Sequence, residues 1–144
     1  MTTTCMVDAS VAAKWLLPEA GEGLLDQANR LIARHVRHEL QLLAPDLIEA
    51  EIGNVLCKAV RRNRVRPADA ANSLRRFTEL GIRTIPSSGL LDRSLQIAID
   101  CGRSFYDSLY VAAALATETD LITADERLVN ALGSRFPVRW LGAF

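Results

Sequence analysis

The sequence predicts an α/β fold with a mainly parallel central sheet. Short apolar strands recur along the chain, each followed by a segment with helical spacing, and strands joined through crossover helices pair in parallel. No low-complexity stretch, internal repeat or linker interrupts the 144 residues, so residues 1–144 read as a single domain. A chain of this length buries roughly 70% of its unfolded surface. A composition of 49% hydrophobic and 24% charged residues suits that core and excludes disorder.

Thr4 to Val7 is the first buried strand, and Ala9-Ser10 turns into a helix that runs through Leu17 and stops at Pro18. The next helix spans about Gly23 to Leu40, with Leu24, Leu25, Ala28, Leu31, Ile32 and Val36 on one face. Leu42-Leu43-Ala44 is a short strand. Pro45 then opens a helix, where its missing N–H does no harm. Along that helix Ile52, Val55, Leu56, Ala59 and Val60 follow the spacing of a core-facing stripe. Pro67 starts another helix, with Leu74 and Phe77 inward, ending near Gly81. Ile82 to Ile85 is a strand, Pro86 to Gly89 a loop, and Leu90 to Asp100 a helix broken by Cys101-Gly102. Ser104 caps a helix through Thr117, Leu121 to Thr123 is a strand, Asp125 caps the helix Glu126 to Leu132, and Val138 to Leu141 is a last strand.

Composition narrows the functional classes. No apolar run approaches a bilayer span, so no membrane segment is expected. Met1-Thr2-Thr3-Thr4 has no basic region and runs into a strand, unlike a secretory signal. Cys5, Cys57 and Cys101 are odd in number and far apart, and read as buried thiols in a reducing compartment. A cytoplasmic location is the expectation. Net charge is zero, yet arginine outnumbers lysine 15 to 2, and Arg61, Arg62, Arg64 and Arg66 fall close together. Guanidinium forks match phosphate geometry, although cations also suit a helix C-terminus.

Four acids stand beside or inside apolar segments: Asp8, Glu51, Asp107 and Asp125. Asp8 and Asp125 each follow a strand, which puts both at the carboxyl rim of a parallel sheet, where ligand crevices form. Each acid has a structural excuse taken singly. Asp107 suits the first turn of a helix and Asp125 suits an N-cap. Gathered on one rim, their like charges would repel unless a divalent cation neutralised them, and hard oxygen ligands favour Mg²⁺. Helical angle alone points Glu49 nearer the apolar stripe than Glu51, with Asp46 a further competitor, and periodicity does not choose.

Val7-Asp8-Ala9-Ser10-Val11 followed by Lys14-Trp15-Leu16-Leu17-Pro18-Glu19 resembles the opening of PIN-domain proteins, specifically VapC-type toxins. Pro45 with Glu51, Asn54 and Leu56 is similar to the second motif. Tyr106-Asp107-Ser108-Leu109-Tyr110-Val111-Ala112 is similar to the third, and Leu121-Ile122-Thr123-Ala124-Asp125-Glu126-Arg127-Leu128 to the fourth. The motifs come in family order and span nearly the whole chain.

The resemblance implies a three-layer α/β/α sandwich and a Mg²⁺-dependent (or Mn²⁺-dependent) endoribonuclease acting as the toxin of a toxin–antitoxin pair. It places the site on Asp8, Glu51, Asp107 and Asp125, favours Glu51 over Glu49, and makes Thr123 a polar neighbour that orients water. Asp8 and Asp107 are the expected direct metal ligands, with Glu51 and Asp125 binding directly, through water, or acting as base. An RNA substrate, a homodimer and a cognate VapB-type antitoxin are implied as partners. All four motif acids are present. The relatively polar turn between the first two motifs departs from the family pattern and bears only on loop geometry.

Other residues have ordinary readings. His35 and His38 share a helix face but have no third ligand and lie among arginines, so a surface role is expected. Ser10 reads as an N-cap whose hydroxyl is also able to face the site. Trp15, Trp140, Tyr106 and Tyr110 read as packing, and Lys14 as a phosphate contact or a snorkelling cation. Receiver domains and aspartyl phosphatases also place an Asp after a parallel strand. The former need a lysine after a later strand, and both lysines here are helical; the latter need a second Asp where Ser10 stands. A non-catalytic RNA-binding or assembly module on the same fold is the remaining alternative.

Overall fold

The computed structural model describes residues 2–17 and 23–144. Among them, strands β1 (Thr3–Val7), β2 (Leu40–Pro45), β3 (Arg83–Ile85), β4 (Asp120–Thr123) and β5 (Val138–Trp140) form one sheet in the order β3-β2-β1-β4-β5. Every neighbouring pair is parallel. The helices are α1 (Ala9–Leu16), α2 (Leu25–Val36), α3 (Leu47–Arg61), α4 (Pro67–Glu79), α5 (Leu91–Cys101), α6 (Phe105–Thr117) and α7 (Glu126–Leu132). From β1 to β3 the chain moves toward one edge through α1 to α4; from β3 it crosses back to β4 and β5 through α5 to α7. Right-handed crossovers put these two helix sets on opposite faces, which makes three layers. The direction reverses between β1 and β4, and at such a switch point the departing loops diverge and leave a crevice.

Met6 and Val7 in β1, Leu42 and Ala44 in β2, and Leu121 and Ile122 in β4 are wholly inaccessible to water, as strands covered on both faces require. Helix α6 packs across β1, β2 and β4 and is buried continuously from Ser108 to Ala114. Its alanines let the backbone approach the sheet closely. Ser104 starts it by accepting the Asp107 N–H at 3.0 Å, while Gly102, at φ 64°, ends α5 in the left-handed conformation that favours glycine.

Several boundaries differ from the sequence expectation. Helix α2 ends at Val36, not Leu40: His38 takes a left-handed turn at φ 60° and Leu40 is drawn into the sheet as the first residue of β2. Pro45 closes β2 instead of opening a helix, and the next N–H, of Asp46, donates to Ile85 O at 2.9 Å to extend the pairing with β3. Leu74 is exposed, and α4 turns Ser73 and Phe77 inward in its place. Val36 is exposed as well, lying at the end of α2 beyond the sheet. Only Cys5 of the three cysteines is buried; Cys57 is exposed and Cys101 half-buried. Leu141 belongs to a final 3-10 turn, not to β5. The predicted stop at Pro18 lies outside the described residues. No helix among them is long and apolar enough to cross a membrane.

The central position of Ile122, fully buried in β4, gives a direct check on this core. Ile122→Ala should lower unfolding free energy by about 2–5 kcal/mol, measured by urea denaturation.

Candidate active site

All four acids are held where helices begin. Asp8 is the N-cap of α1, its Oδ1 accepting the N–H groups of Ser10 at 3.1 Å and Val11 at 3.3 Å. Asp125 caps α7 in the same way, with Oδ1 accepting from Arg127 at 3.0 Å and Leu128 at 3.3 Å. Asp107 lies in the first turn of α6, and Glu51 lies in the second turn of α3. Helices α1, α3 and α7 follow directly from β1, β2 and β4, so their positive dipole ends face the carboxyl rim. The rim is therefore a place where negative charge is partly compensated by backbone.

Ser10 ties the two strands of the switch point together. Its hydroxyl donates to Asp8 Oδ1 at 2.5 Å, lies 3.3 Å from Thr123 Oγ1, and accepts the Ala124 N–H at 3.0 Å. Thr123 Oγ1 in turn accepts the Asp125 N–H at 3.0 Å. Asp8 Oδ1 is thereby committed to structure, and Oδ2 receives no backbone bond. The N-cap of α1 is Asp8 and not Ser10, because the hydroxyl is spent across the β1–β4 gap.

Asp8 is almost fully buried, and burial pushes its carboxyl up to about 6, against the lowering effect of hydrogen bonds from Ser10, Thr123 and Val11. Burial also raises Glu51, and the charges of Asp8 and Asp107 raise it further; the nearby Tyr110 hydroxyl acts in the opposite sense. Tyr110 is raised by burial and then by the charge of Glu51. Neither Glu51 Oε1 nor Tyr110 Oη completes a hydrogen bond of good geometry, although both are sealed from water. Asp8 and Asp107 thus both press their charge on Glu51, which stands between them in one acidic group. Asp125 stands at its margin, joined through Thr123. Glu49 is exposed, so it is Glu51 that turns its carboxylate to this group.

Among the described residues no three His, Cys, Asp or Glu side chains converge closely enough to enclose an ion as they stand. The donor set nevertheless fits a hydrated hard cation: oxygen ligands only, a buried oxygen without a partner, and repulsion that positive charge would relieve.

Some contributors had no clear signal in the sequence. Arg103 Nη2 lies 3.5 Å from Asp107 Oδ2, and its buried Nε has no partner; only its i, i+4 spacing from Asp107 hinted at the pair. Tyr110 packs as expected, whereas Tyr106 is exposed. His35 is a brace and not a surface residue: Leu42 N donates to Nδ1 at 3.1 Å, so the Nε2 proton is the one offered to Leu80 O at 2.9 Å. Trp15 donates to Ala28 O at 2.8 Å and locks α1 to α2.

A family model described as PIN domain matches residues 5–132. Ribonuclease VapC9 of Mycobacterium tuberculosis is 33% identical over 133 residues, spanning 92% of this chain and 94% of its own. Ribonuclease VapC1 of the same species is 33% identical over 130 residues, or 90% and 91% of the two chains. The crystal structure of PAE2754 from Pyrobaculum aerophilum superposes with a TM-score of 0.73 at 22% identity, over 99% of this chain and 91% of that one. That of VapBC2 from Rickettsia felis, bound to a DNA fragment from their promoter, superposes with 0.71 at 10% identity, over 96% and 98%. The chain belongs to the PIN-domain family. Within it, the chain groups with the VapC-type proteins, and the α/β/α sandwich is the fold they share.

The raised Asp8 carboxyl has a consequence for stability. It binds its proton more tightly folded than unfolded, so the stability it contributes is complete below about pH 3.8 and is lost as pH rises through about 6. Asn keeps the capping oxygen and does not titrate. In the presence of chelator, Asp8→Asn should be the more stable protein at pH 7, by up to about 3 kcal/mol, with the gap closing toward pH 4. Urea unfolding across that range measures it, and a variant less stable than wild type at pH 7 would contradict the burial argument.

Proposed function

We propose that this protein is a Mg²⁺- or Mn²⁺-dependent endoribonuclease and the toxin of a toxin–antitoxin pair, working in the cytoplasm. The observation that carries the reading is the clustering of Asp8, Glu51 and Asp107 at the switch point, where burial and the charges of Asp8 and Asp107 raise Glu51. A purely structural cluster would have no reason to place like charges together away from water. The kinship with proteins named ribonuclease supports the same conclusion.

Asp8 and Asp107 are the proposed direct ligands, with Glu51 and Asp125 reaching the ion directly or through water. When bound, the ion offsets charge on the phosphoryl oxygens and lowers the pKa of a coordinated water. The remaining work belongs to the chain. Ser10 and Thr123 hold Asp8 in a single orientation, leaving Oδ2 for the ion. Arg103 restrains Asp107. Glu51, raised by burial and by its acidic neighbours, is suited to hold a proton taken from the attacking water at Oε1. Tyr110 walls that oxygen from bulk solvent.

The implied partners have candidate surfaces. A groove of about 1240 Å³ combines Leu16, Leu17 and Val65 with Arg64, Arg66 and Arg76, a mixed lining suited to an amphipathic antitoxin segment. On α5, Leu91, Leu95 and Ile99 are exposed at i, i+4 and i+8, a stripe suited to burial against a second copy of the chain.

Purified protein should cleave single-stranded RNA with Mg²⁺ or Mn²⁺, lose that activity in chelator, and lose it again in Asp8→Asn while remaining folded. Full cleavage by Asp8→Asn would overturn the reading, and RNA binding that is metal-independent and never followed by cleavage would favour the non-catalytic module. If the α5 stripe joins two copies, Leu95→Arg combined with Ile99→Arg should convert a dimer to a monomer in sedimentation velocity.

A further inference from the structure

Next to the acid group a second cleft, of about 470 Å³, opens onto Ser10 and Asp125 and is lined by Lys14, Lys58, Arg62 and Arg64. Lys14 and Lys58 are the two lysines of the chain. None of the four cations forms an ion pair among the described residues. Of the arginine cluster, Arg66 is held by Asp69 at 2.9 Å and Arg61 does not line the cleft.

Helix dipoles account for these cations one at a time, since Lys14 lies in the last turn of α1 and Lys58 in that of α3, followed by Arg62 at its C-cap. They do not account for the convergence. Lys14 is four residues beyond Ser10 and shares its face of α1. Lys58 is seven residues beyond Glu51, two turns along one face of α3, or about 10 Å. Helices α1 and α3 pack side by side, and both begin at the carboxyl rim. The face of α3 therefore runs from acid at the rim to cation in the cleft, and that of α1 runs beside it from Ser10, which is bonded to Asp8, to Lys14.

We propose that this cleft seats the phosphodiester backbone of a single RNA strand beside the bond being cut, with Lys14, Lys58, Arg62 and Arg64 holding its phosphates. The proposal rests on the ribonuclease reading above and names where its substrate lies. Unpaired cations supply attraction that the acid group withholds from a polyanion, and two of them are arginines, whose forks match phosphate. The cleft admits one backbone, whereas duplex RNA presents its phosphates across a wide, shallow groove. An acidic peptide would also satisfy the cations, but it would be repelled by Asp125 in the lining and by the acid group that Ser10 joins to the cleft.

The test is fluorescence anisotropy of a labelled single-stranded RNA oligonucleotide on the Asp8→Asn protein across a salt series. Adding Lys58→Gln with Arg62→Gln should weaken binding roughly tenfold and flatten the slope of log affinity against log salt by about 0.7 per contact removed. Arg93→Gln, an exposed residue of α5 that pairs with Gln96, should change neither. Thermal midpoints establish that each variant is folded; should the double variant fail, Arg62→Gln alone carries the test, with half the change in slope. Unchanged affinity and slope overturn the cleft, however well the wild type cuts RNA. RNA that is bound through the cleft but never cut removes the ribonuclease reading and leaves the cleft standing. Displacement of the oligonucleotide by polyglutamate at lower concentration than by unlabelled RNA assigns the cleft to an acidic peptide and overturns the proposal.

Discussion

Carboxylates withheld from water beside one another are the constraint on which the rest of the carboxyl rim depends. Burial lifts Asp8 to about 6 despite the hydrogen bonds that oppose it, and the charges of Asp8 and Asp107 add to the burial of Glu51. The fold answers part of this with backbone: helix N-termini surround the rim, and two of the acids serve as caps. The part left unanswered is concentrated in Asp8 and Glu51. A domain selected for stability alone would place apolar or neutral residues there, so the residual repulsion marks a site where stability has been given up for function.

The parallel sheet decides where that site lies. Its order reverses between β1 and β4, and the register pairs Val7 with Ile122, so the residues that follow, Asp8 and Thr123, emerge level with each other. A one-residue shift would turn Asp8 to the opposite face and remove Thr123 from its side. Ser10 then closes the gap with one hydroxyl serving Asp8, Thr123 and Ala124. The rigidity of the site comes from this stitch between strands, not from the loops around it.

Much of this was legible in the sequence where the signal is local. Strands β1 and β4, the Ser104 cap and the Asp125 cap depend on neighbours within a few residues, and each falls where spacing placed it. Signals that depend on distant partners were not legible: Leu40 is a strand residue because β1 lies beside it, and Arg103 faces Asp107 because α5 turns back at Gly102. Glu49 and Glu51 show the difference most clearly. Angle to the apolar stripe favours Glu49, but the stripe marks the sheet's face and the site lies at the sheet's edge. An acid that reaches the edge need not align with the stripe, and a periodic pattern measured against the core uses the wrong reference. The resemblance of Pro45, Glu51, Asn54 and Leu56 to the family's second motif is what pointed to Glu51.

A net charge of zero conceals a separation that runs along the helices. On α1 and α3 the acids come first and the cations last, the order that the helix dipole favours at both ends. The same arrangement suits work on a polyanion. Acids without adjacent cations would repel the strand, and cations without adjacent acids would hold it with no means of activating water. Two turns of helix set the distance between these tasks at about 10 Å, so the dimension is fixed by backbone geometry before any side chain moves. Total charge is uninformative about the RNA strand proposed above, because what would recognise it is the direction in which charge changes along the helices that meet at the rim.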